Sequence, residues 1–283
     1  MQGKTVVITG ATGGIGLETA RALASKGARI AIVARSRPRG EAAIAEIAQT
    51  VPGARLELVL ADLYSLAEVR RAGAELRAKY PTIDVLINNA GMIHAHRELT
   101  VDGFEKTFAL NHLAPFLLTY ELRDVLTSRV VTLSSGGHHM QYFTWDDLAT
   151  RNRWVGQTLV YGASKLCNIW FAKEAARRFA RKGPDKMAVT SNAVHPGVVA
   201  SGFGQTGSKL LQLGSRLARP FMLTLEQGAR TSVHVASSPE VEGVTGEYFY
   251  KSKVKTPSAR ARDAGDARTL WELSERLCGV SWS

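Results

Sequence analysis

The chain is 283 residues long, 45% hydrophobic and 22% charged, which fits one soluble globular domain with a sizeable core. No stretch approaches the ~18 apolar residues of a membrane span, the start lacks a signal-peptide layout, and Cys167 and Cys278 are too few for a disulfide framework or metal cage, so a cytoplasmic protein is expected. The net charge of +11 does not predict nucleic-acid binding: the basic residues lie along a helix flank (Arg177, Arg178, Arg181, Lys182) and an alternating edge strand (Lys251, Lys253, Lys255), without interleaved aromatics.

The chain opens on a buried-type parallel strand, Thr5-Val6-Val7-Ile8, with no polar alternation. A turn follows, Thr9-Gly10-Ala11-Thr12-Gly13-Gly14-Ile15-Gly16, whose glycines let the backbone bend sharply and approach a ligand. A helix then runs to about Lys26 and is closed by Gly27, before a second apolar strand from Ala28 to Ala34. The helix aims its free N–H groups and positive dipole end at the turn, so this βαβ unit suits a nucleotide pyrophosphate. The glycine spacing itself fits two dinucleotide-binding variants.

Further helices are predicted at Gly40 to Gln49, from Ser65 to about Lys79 behind a Ser65/Glu68 capping box, and from about Gly103 to Val125. Others carry Tyr161 and Lys165, span Leu225 to Ala236, and close the chain at Leu270 to Leu277. Strands are predicted at Arg55 to Leu60, Asp84 to Ile87, Arg129 to Leu133, Val189 to Ala193 and Thr245 to Tyr250. Gly136 to Thr158 reads as an irregular insertion, and 200–225 as a small helical lid whose Leu210, Leu211, Leu213, Leu217 and Phe221 suit an apolar substrate. This alternation predicts an α/β fold, a doubly wound parallel sheet in a single domain over 1–283. Its notable polar residues follow strand ends, where such sheets bind ligands.

Tyr161 and Lys165 are four apart on a helix and share one face. A nearby ammonium would lower the tyrosine pKa from its ordinary ~10 and make it a general acid/base; taken alone, the pair reads equally as a surface Tyr and Lys at chance spacing. Ser134-Ser135 ends one strand and offers a hydroxyl to a substrate oxygen; Asn88-Asn89-Ala90-Gly91 ends another. Asn111 is a polar residue on an apolar helix stretch, open to a structural reading as a satisfied buried amide. His94, His96, His138 and His139 lack a carboxylate or cysteine set at ligand spacing, so no metal is expected. No carboxylate follows the second strand; Val33-Ala34-Arg35-Ser36-Arg37 instead offers Arg35 to a 2′-phosphate, which predicts NADP(H).

These motifs, with Asp62-Leu63, Tyr161-Gly162-Ala163-Ser164-Lys165 and Pro196-Gly197, resemble the compact single-domain short-chain dehydrogenases/reductases over essentially the whole chain. The resemblance implies a Rossmann-type fold and a catalytic tetrad of Asn111, a serine, Tyr161 and Lys165, the serine being Ser135, the later of the pair, with Ser134 the alternative. It further implies cofactor contacts from Gly10, Thr12, Gly13, Gly14, Ile15 and Gly16, from Arg35 and Ser36, and from Asp62 and Leu63 along the adenine. Asn89, Ala90 and Gly91, Asn111, Tyr161 and Lys165, and Pro196, Gly197 and Val199 beside the nicotinamide complete the set.

Ser134-Ser135-Gly136-Gly137-His138, His195-Pro196-Gly197-Val198-Val199-Ala200-Ser201 and Leu270-Trp271-Glu272-Leu273-Ser274 resemble the retinol dehydrogenase-like group, which implies a lipophilic alcohol or carbonyl. The lack of an N-terminal anchor argues against a retinoid. The expected activity is alcohol–carbonyl interconversion with NADP(H). A silent NADP-binding sensor, or a tailoring epimerase, dehydratase or cyclase, would use the same scaffold. Self-association into a homo-oligomer through the helices carrying Asn111 and Tyr161 is expected, with Trp170 and Phe171 either in that contact or in the core.

Overall fold

The computed structural model describes residues 1–148, 154–180, 189–199 and 222–282. Its strands are β1 (Thr5–Thr9), β2 (Arg29–Ala34), β3 (Arg55–Leu60), β4 (Ile83–Asn88), β5 (Leu126–Leu133), β6 (Thr190–His195), β7 (Tyr248–Tyr250) and β8 (Lys253–Val254). They form one sheet in the order β3-β2-β1-β4-β5-β6-β7-β8. All neighbours are parallel except β7 and β8, which form an antiparallel hairpin. Between β1 and β4 the strand order reverses, and the crevice at that switch point is where such sheets take ligands.

Side chains alternate across the strands, which sorts the core into two layers. Val6, Ile8, Ile30, Ile32 and Ile87 pack beneath α1 (Gly14–Ser25), α2 (Arg37–Thr50) and a later helix, Leu225–Ser237. Val7, Ala31, Val33, Leu86 and Val130 pack beneath α3 (Leu66–Lys79) and the remaining helices. Because both faces are covered, the central strands read as continuous apolar runs.

The predicted Gly103 to Val125 helix is shorter and composite. Gly103, at φ +77°, belongs to a tight turn, and the buried Glu105 carboxylate caps the helix by accepting from Phe108 N at 2.8 Å. Then α4 (Lys106–Phe108) and α5 (Ala114–Leu122) are joined by a π-helical turn over Ala109–Leu113. Residues from Leu126 join β5 because Ile83 N bonds Val125 O and pulls that segment onto the sheet. Only half of the expected capping box forms: Ser65 Oγ accepts from Glu68 N, whereas the Glu68 carboxylate turns to Arg71, 2.8 Å away. In α2 the cap is Ser36, which accepts from Arg39 N, with Pro38 in the first turn, so the helix starts three residues before Gly40.

The long helix α6 (Gln157–Phe179) lies between the sheet and the terminal helix α8 (Ala264–Cys278), with α7 being Leu225–Ser237. Trp170 and Phe171 are both core: Phe171 stacks on Trp271 of α8 at 5.8 Å and Trp170 on Trp145 at 5.7 Å. Of the expected basic flank, Arg177 and Arg178 both pair with the buried Glu174 carboxylate, while Arg181 and Lys182 lie outside the described residues. The edge lysines sit on and around the β7–β8 hairpin, whose turn residues Lys251 and Ser252 have φ of 52° and 59°. Residues 200–221 of the expected lid lie outside the described residues. Its described end is tied down: Leu223 N bonds Val198 O at 2.9 Å, and Thr224 opens α7 with a complete capping box.

Candidate active site

The glycine turn links β1 to α1, and two of its glycines are demanded for different reasons. Gly14 holds φ +60°, and a side chain there would meet open space, so the turn presents a smooth floor in front of the free N–H groups of α1. Gly16 is helical, but a Cβ would overlap Asn89 Nδ2 and reach 2.7 Å from the Gly10 carbonyl oxygen. Asn89 is therefore a brace. Its Nδ2 donates to Thr9 O at 2.8 Å and Gly10 O at 3.2 Å, while Thr9 Oγ1 accepts from the backbone N–H groups of Asn89 and Ala90. Asn88 Nδ2 similarly reaches Thr119 Oγ1 at 3.2 Å and knits β4 to α5.

At the end of β2, Arg35 is exposed and its guanidinium lies 5.8 Å from the centre of the Tyr64 ring. Tyr64 in turn hydrogen-bonds His94 at 2.9 Å, and burial pushes its phenol up to about 12. Ser36 caps α2, and Arg37 pairs with Glu41 on the outer face of that helix. Sequence reasoning missed Arg39. Its guanidinium lies 4.0 Å from where a Gly13 Cβ would stand, and neither Arg35 nor Arg39 has an acidic partner among the described residues. The signal was the spacing: Arg39 follows Ser36 by one helical turn, on the side that faces the glycines.

In the loop after β3, Asp62 accepts from Tyr64 N at 3.2 Å, and Leu63 is buried in the core. Ile15 and Val199 both approach Gly228 of α7, whose Cβ would stand 3.3 Å from one and 2.6 Å from the other; the glycine turn and the loop after β6 thus meet on a common support. Gly197 holds φ +91° between Leu223 and Tyr250. The structure gives no specific contact for Thr12 or Pro196.

The residues expected to handle the proton gather at the end of β5. Tyr161, partly buried on the first turns of α6, is hydrogen-bonded to Ser135. Gly137 lies directly against them, since a Cβ there would come 3.2 Å from Tyr161 Cε1 and 3.5 Å from Ser135 Oγ. Gly162 permits this approach, because any side chain on it would overlap the Met140 carbonyl. Ser134, the alternative, points away: its hydroxyl is buried and donates to the Lys165 carbonyl at 2.7 Å. Lys165 is buried, donates from Nζ to Leu133 O at 3.0 Å, and lies 5.5 Å from the centre of the Tyr161 ring. Its Nζ and Asn111 Oδ1 both lie 3.2 Å from where a Gly91 Cβ would stand.

Asn111 is fully engaged. Oδ1 accepts from Met92 N at 2.8 Å, and Nδ2 donates to Met92 O and Ser164 Oγ, both at 3.0 Å. The π-turn carries it, and its amide fastens the loop after β4 to α6. Asn168, also missed, donates to the same Leu133 carbonyl as Lys165, at 2.9 Å. It was findable: 161, 165 and 168 fall on one helical face.

The electrostatics depart from expectation in one respect. Burial pushes the Tyr161 hydroxyl up to about 12, with the Ser135 hydrogen bond pulling it partly back, and burial brings Lys165 down to about 7. The expected lowering of the phenol by the ammonium does not emerge. Lys165 Nζ is turned to the Leu133 carbonyl, and an amine that titrates near neutrality is a weak source of fixed positive charge. Among the described residues no group of three or more His, Cys, Asp or Glu side chains converges as a metal site, and no helix is long and apolar enough to cross a membrane.

The sequence model of the short chain dehydrogenase family matches residues 4–209. Retinol dehydrogenase 12 of Mus musculus is 40% identical over 284 residues, covering 99% of this chain and 88% of that protein. The crystal structure of an uncharacterized protein from Mycobacterium Paratuberculosis superposes with a TM-score of 0.80 at 34% identity, covering 100% of this chain and 96% of that one. A short chain dehydrogenase from Burkholderia cenocepacia J2315, solved in complex with NADP, superposes at 0.67 with 28% identity over 88% of this chain and 96% of its own. With the reversed strand order and the serine, tyrosine and lysine gathered beside the glycine turn, these similarities establish that the chain belongs to the short-chain dehydrogenase/reductase family, within its retinol dehydrogenase-like group.

Proposed function

We propose that the protein is an NADP(H)-dependent oxidoreductase that interconverts an alcohol and its ketone or aldehyde on a mainly apolar small molecule. The reading rests on the hydrogen-bonded Ser135–Tyr161 pair, with Lys165 buried alongside, at the strand ends that also carry the glycine turn. The residues fit the cofactor. The open floor at Gly13 and Gly14 faces the N-terminus of α1, which favours a pyrophosphate, and Arg35 with Arg39, which lies beside Gly13, would supply cations to a 2′-phosphate. Bound there, nicotinamide supplies or takes up the hydride.

The protein handles the proton. In reduction Tyr161 gives its hydroxyl proton to the substrate oxygen, and in oxidation it takes it back. Ser135 hydrogen-bonds the same oxygen and fixes its direction. Lys165 Nζ, held on the Leu133 carbonyl and brought to about 7 by burial, can be charged or neutral near neutral pH beside the Tyr161 ring. Asn111 keeps the loop after β4 closed against α6. The similarity to a retinol dehydrogenase places retinal and other lipophilic aldehydes and ketones in the first panel of substrates.

The test is NADPH oxidation across that panel with the native protein and Tyr161→Phe. The expected result is turnover that falls by about 10²–10⁴-fold in the variant while NADPH still binds. Cofactor binding with no turnover on any substrate would favour a sensor instead.

A further inference from the structure

The Ser135 hydroxyl caps a single helical turn, Gly136–His139, by accepting from the Gly137 backbone N–H at 3.1 Å. Gly136 and Gly137 follow it in tight quarters: a Cβ on Gly136 would stand 3.2 Å from His195 Nε2, and one on Gly137 3.2 Å from Tyr161 Cε1. Two consecutive glycines leave the backbone more freedom than any other pair. The next residue, His138, is buried and adds a second constraint, on the serine's carbonyl. Its Nδ1 lies 2.7 Å from the Ser135 carbonyl oxygen, which also accepts from the His138 backbone N–H at 3.2 Å. On the other side of the ring, Nε2 accepts from the backbone N–H of Ser258 at 3.2 Å. A carbonyl only accepts and a backbone N–H only donates, so one neutral tautomer satisfies both partners, with the proton on Nδ1.

We propose that His138 is a positioning residue for Ser135: its imidazole clamps the Ser135 carbonyl to the Ser258 amide, so that the segment after β8 holds the serine hydroxyl in register with Tyr161. The proposal rests on the oxidoreductase reading for its kinetic consequence, though not for its geometry. The surroundings keep the ring neutral. Burial lowers its pKa, and His139 on the same turn, His195 at the end of β6 and Lys255 after β8 oppose a second proton, while Tyr248 of β7 packs edge-on at 5.3 Å. A proton gained at Nε2 would face the Ser258 N–H and release the clamp. Turnover should therefore fall on the acid side through the group that His138 contributes.

Two near-isosteres separate positioning from packing. His138→Asn places an amide N–H near the Nδ1 position and keeps the bond to Ser135, whereas His138→Gln places an oxygen near Nε2 and keeps the bond to Ser258. With NADPH and the best lipophilic aldehyde of the panel, Gln should lower kcat about 10–100-fold, the cost of a misplaced catalytic hydroxyl, with KM for NADPH and Tm unchanged. Asn lacks the Ser258 bond at every pH, so it should lower kcat to a similar extent and lose the acid limb of the pH profile. Full activity in either variant would overturn the proposal and leave His138 only a strap for the C-terminal segment. Nitrogen NMR of the native ring gives a readout independent of turnover. A proton on Nδ1 supports the clamp even if no substrate is found, and a proton on Nε2 overturns it whatever the kinetics.

Discussion

Lys165 sits where an ammonium is poorly solvated, and that placement has a thermodynamic cost. Its pKa falls from 10.5 to about 7 on folding, so between those values the unfolded chain binds more protons than the folded one, and stability must rise with pH across the window. The cost near pH 7 is on the order of 4 kcal/mol and shrinks by about 2 kcal/mol at pH 9. Replacing it by methionine keeps the bulk and leaves Leu133 O bonded to Asn168. Lys165→Met should therefore be more stable than the native protein near pH 7, with the difference shrinking towards pH 9, while losing turnover. Urea denaturation at several pH values measures this, and equal stability of the two proteins throughout would show that burial does not penalise the amine. On the cofactor side, Arg35→Asp should move preference from NADP(H) to NAD(H), read as the ratio of the two kcat/KM values; a native protein that uses both equally would remove the role given to Arg35.

The elements that build the site differ in how far the sequence reveals them. The pairing of Tyr161 with Lys165 was readable because a four-residue spacing has one meaning on a helix. The glycine turn was readable because a buried-type strand and a helix flank it. The π-turn at Asn111 was not, since the extra residue per turn is imposed by tertiary bonds from Asn111 to Met92 and Ser164, none of them local in sequence. The choice between Ser134 and Ser135 had the same difficulty. Neighbouring strand residues face opposite ways, and only the position of the Lys165 carbonyl shows which hydroxyl is already occupied. Within the glycine turn, Gly16→Ala forces a methyl into Asn89 and the Gly10 carbonyl, an overpacking expected to cost about 1–3 kcal/mol and to weaken NADPH binding sharply. Gly14→Ala meets no atoms, only a left-handed backbone that costs about 1–2 kcal/mol. Denaturation and cofactor titration of the two variants would test this, and a Gly16→Ala protein that binds NADPH like the native one would contradict the packing argument.

At the scale of the whole molecule, α8 covers the aromatic side chains Phe116 of α5 and Phe171 of α6. Trp271 lies edge-on to Phe116 at 5.0 Å, stacks on Phe171 at 5.8 Å and meets Trp282 edge-on at 4.9 Å, so the C-terminal helix and tail seal an aromatic cluster inside the subunit. Arg178 lies 5.1 Å from the Trp271 ring and donates to the Trp282 carbonyl at 3.1 Å, which fastens the tail to α6. Detaching α8 would expose rings that bury roughly 150–250 Å² each. Trp271→Ala should cost about 3–5 kcal/mol, the range for deleting a fully buried tryptophan. Ending the chain at Asp263 should bare Phe116 and Phe171 and drive association or precipitation, since an apolar patch of that size does not stay in water. Light scattering and thermal denaturation of the full chain and the truncated one make the comparison. A truncated protein that remained at the mass of one chain, with an unchanged Tm, would show that α8 is an accessory to the fold rather than its cover.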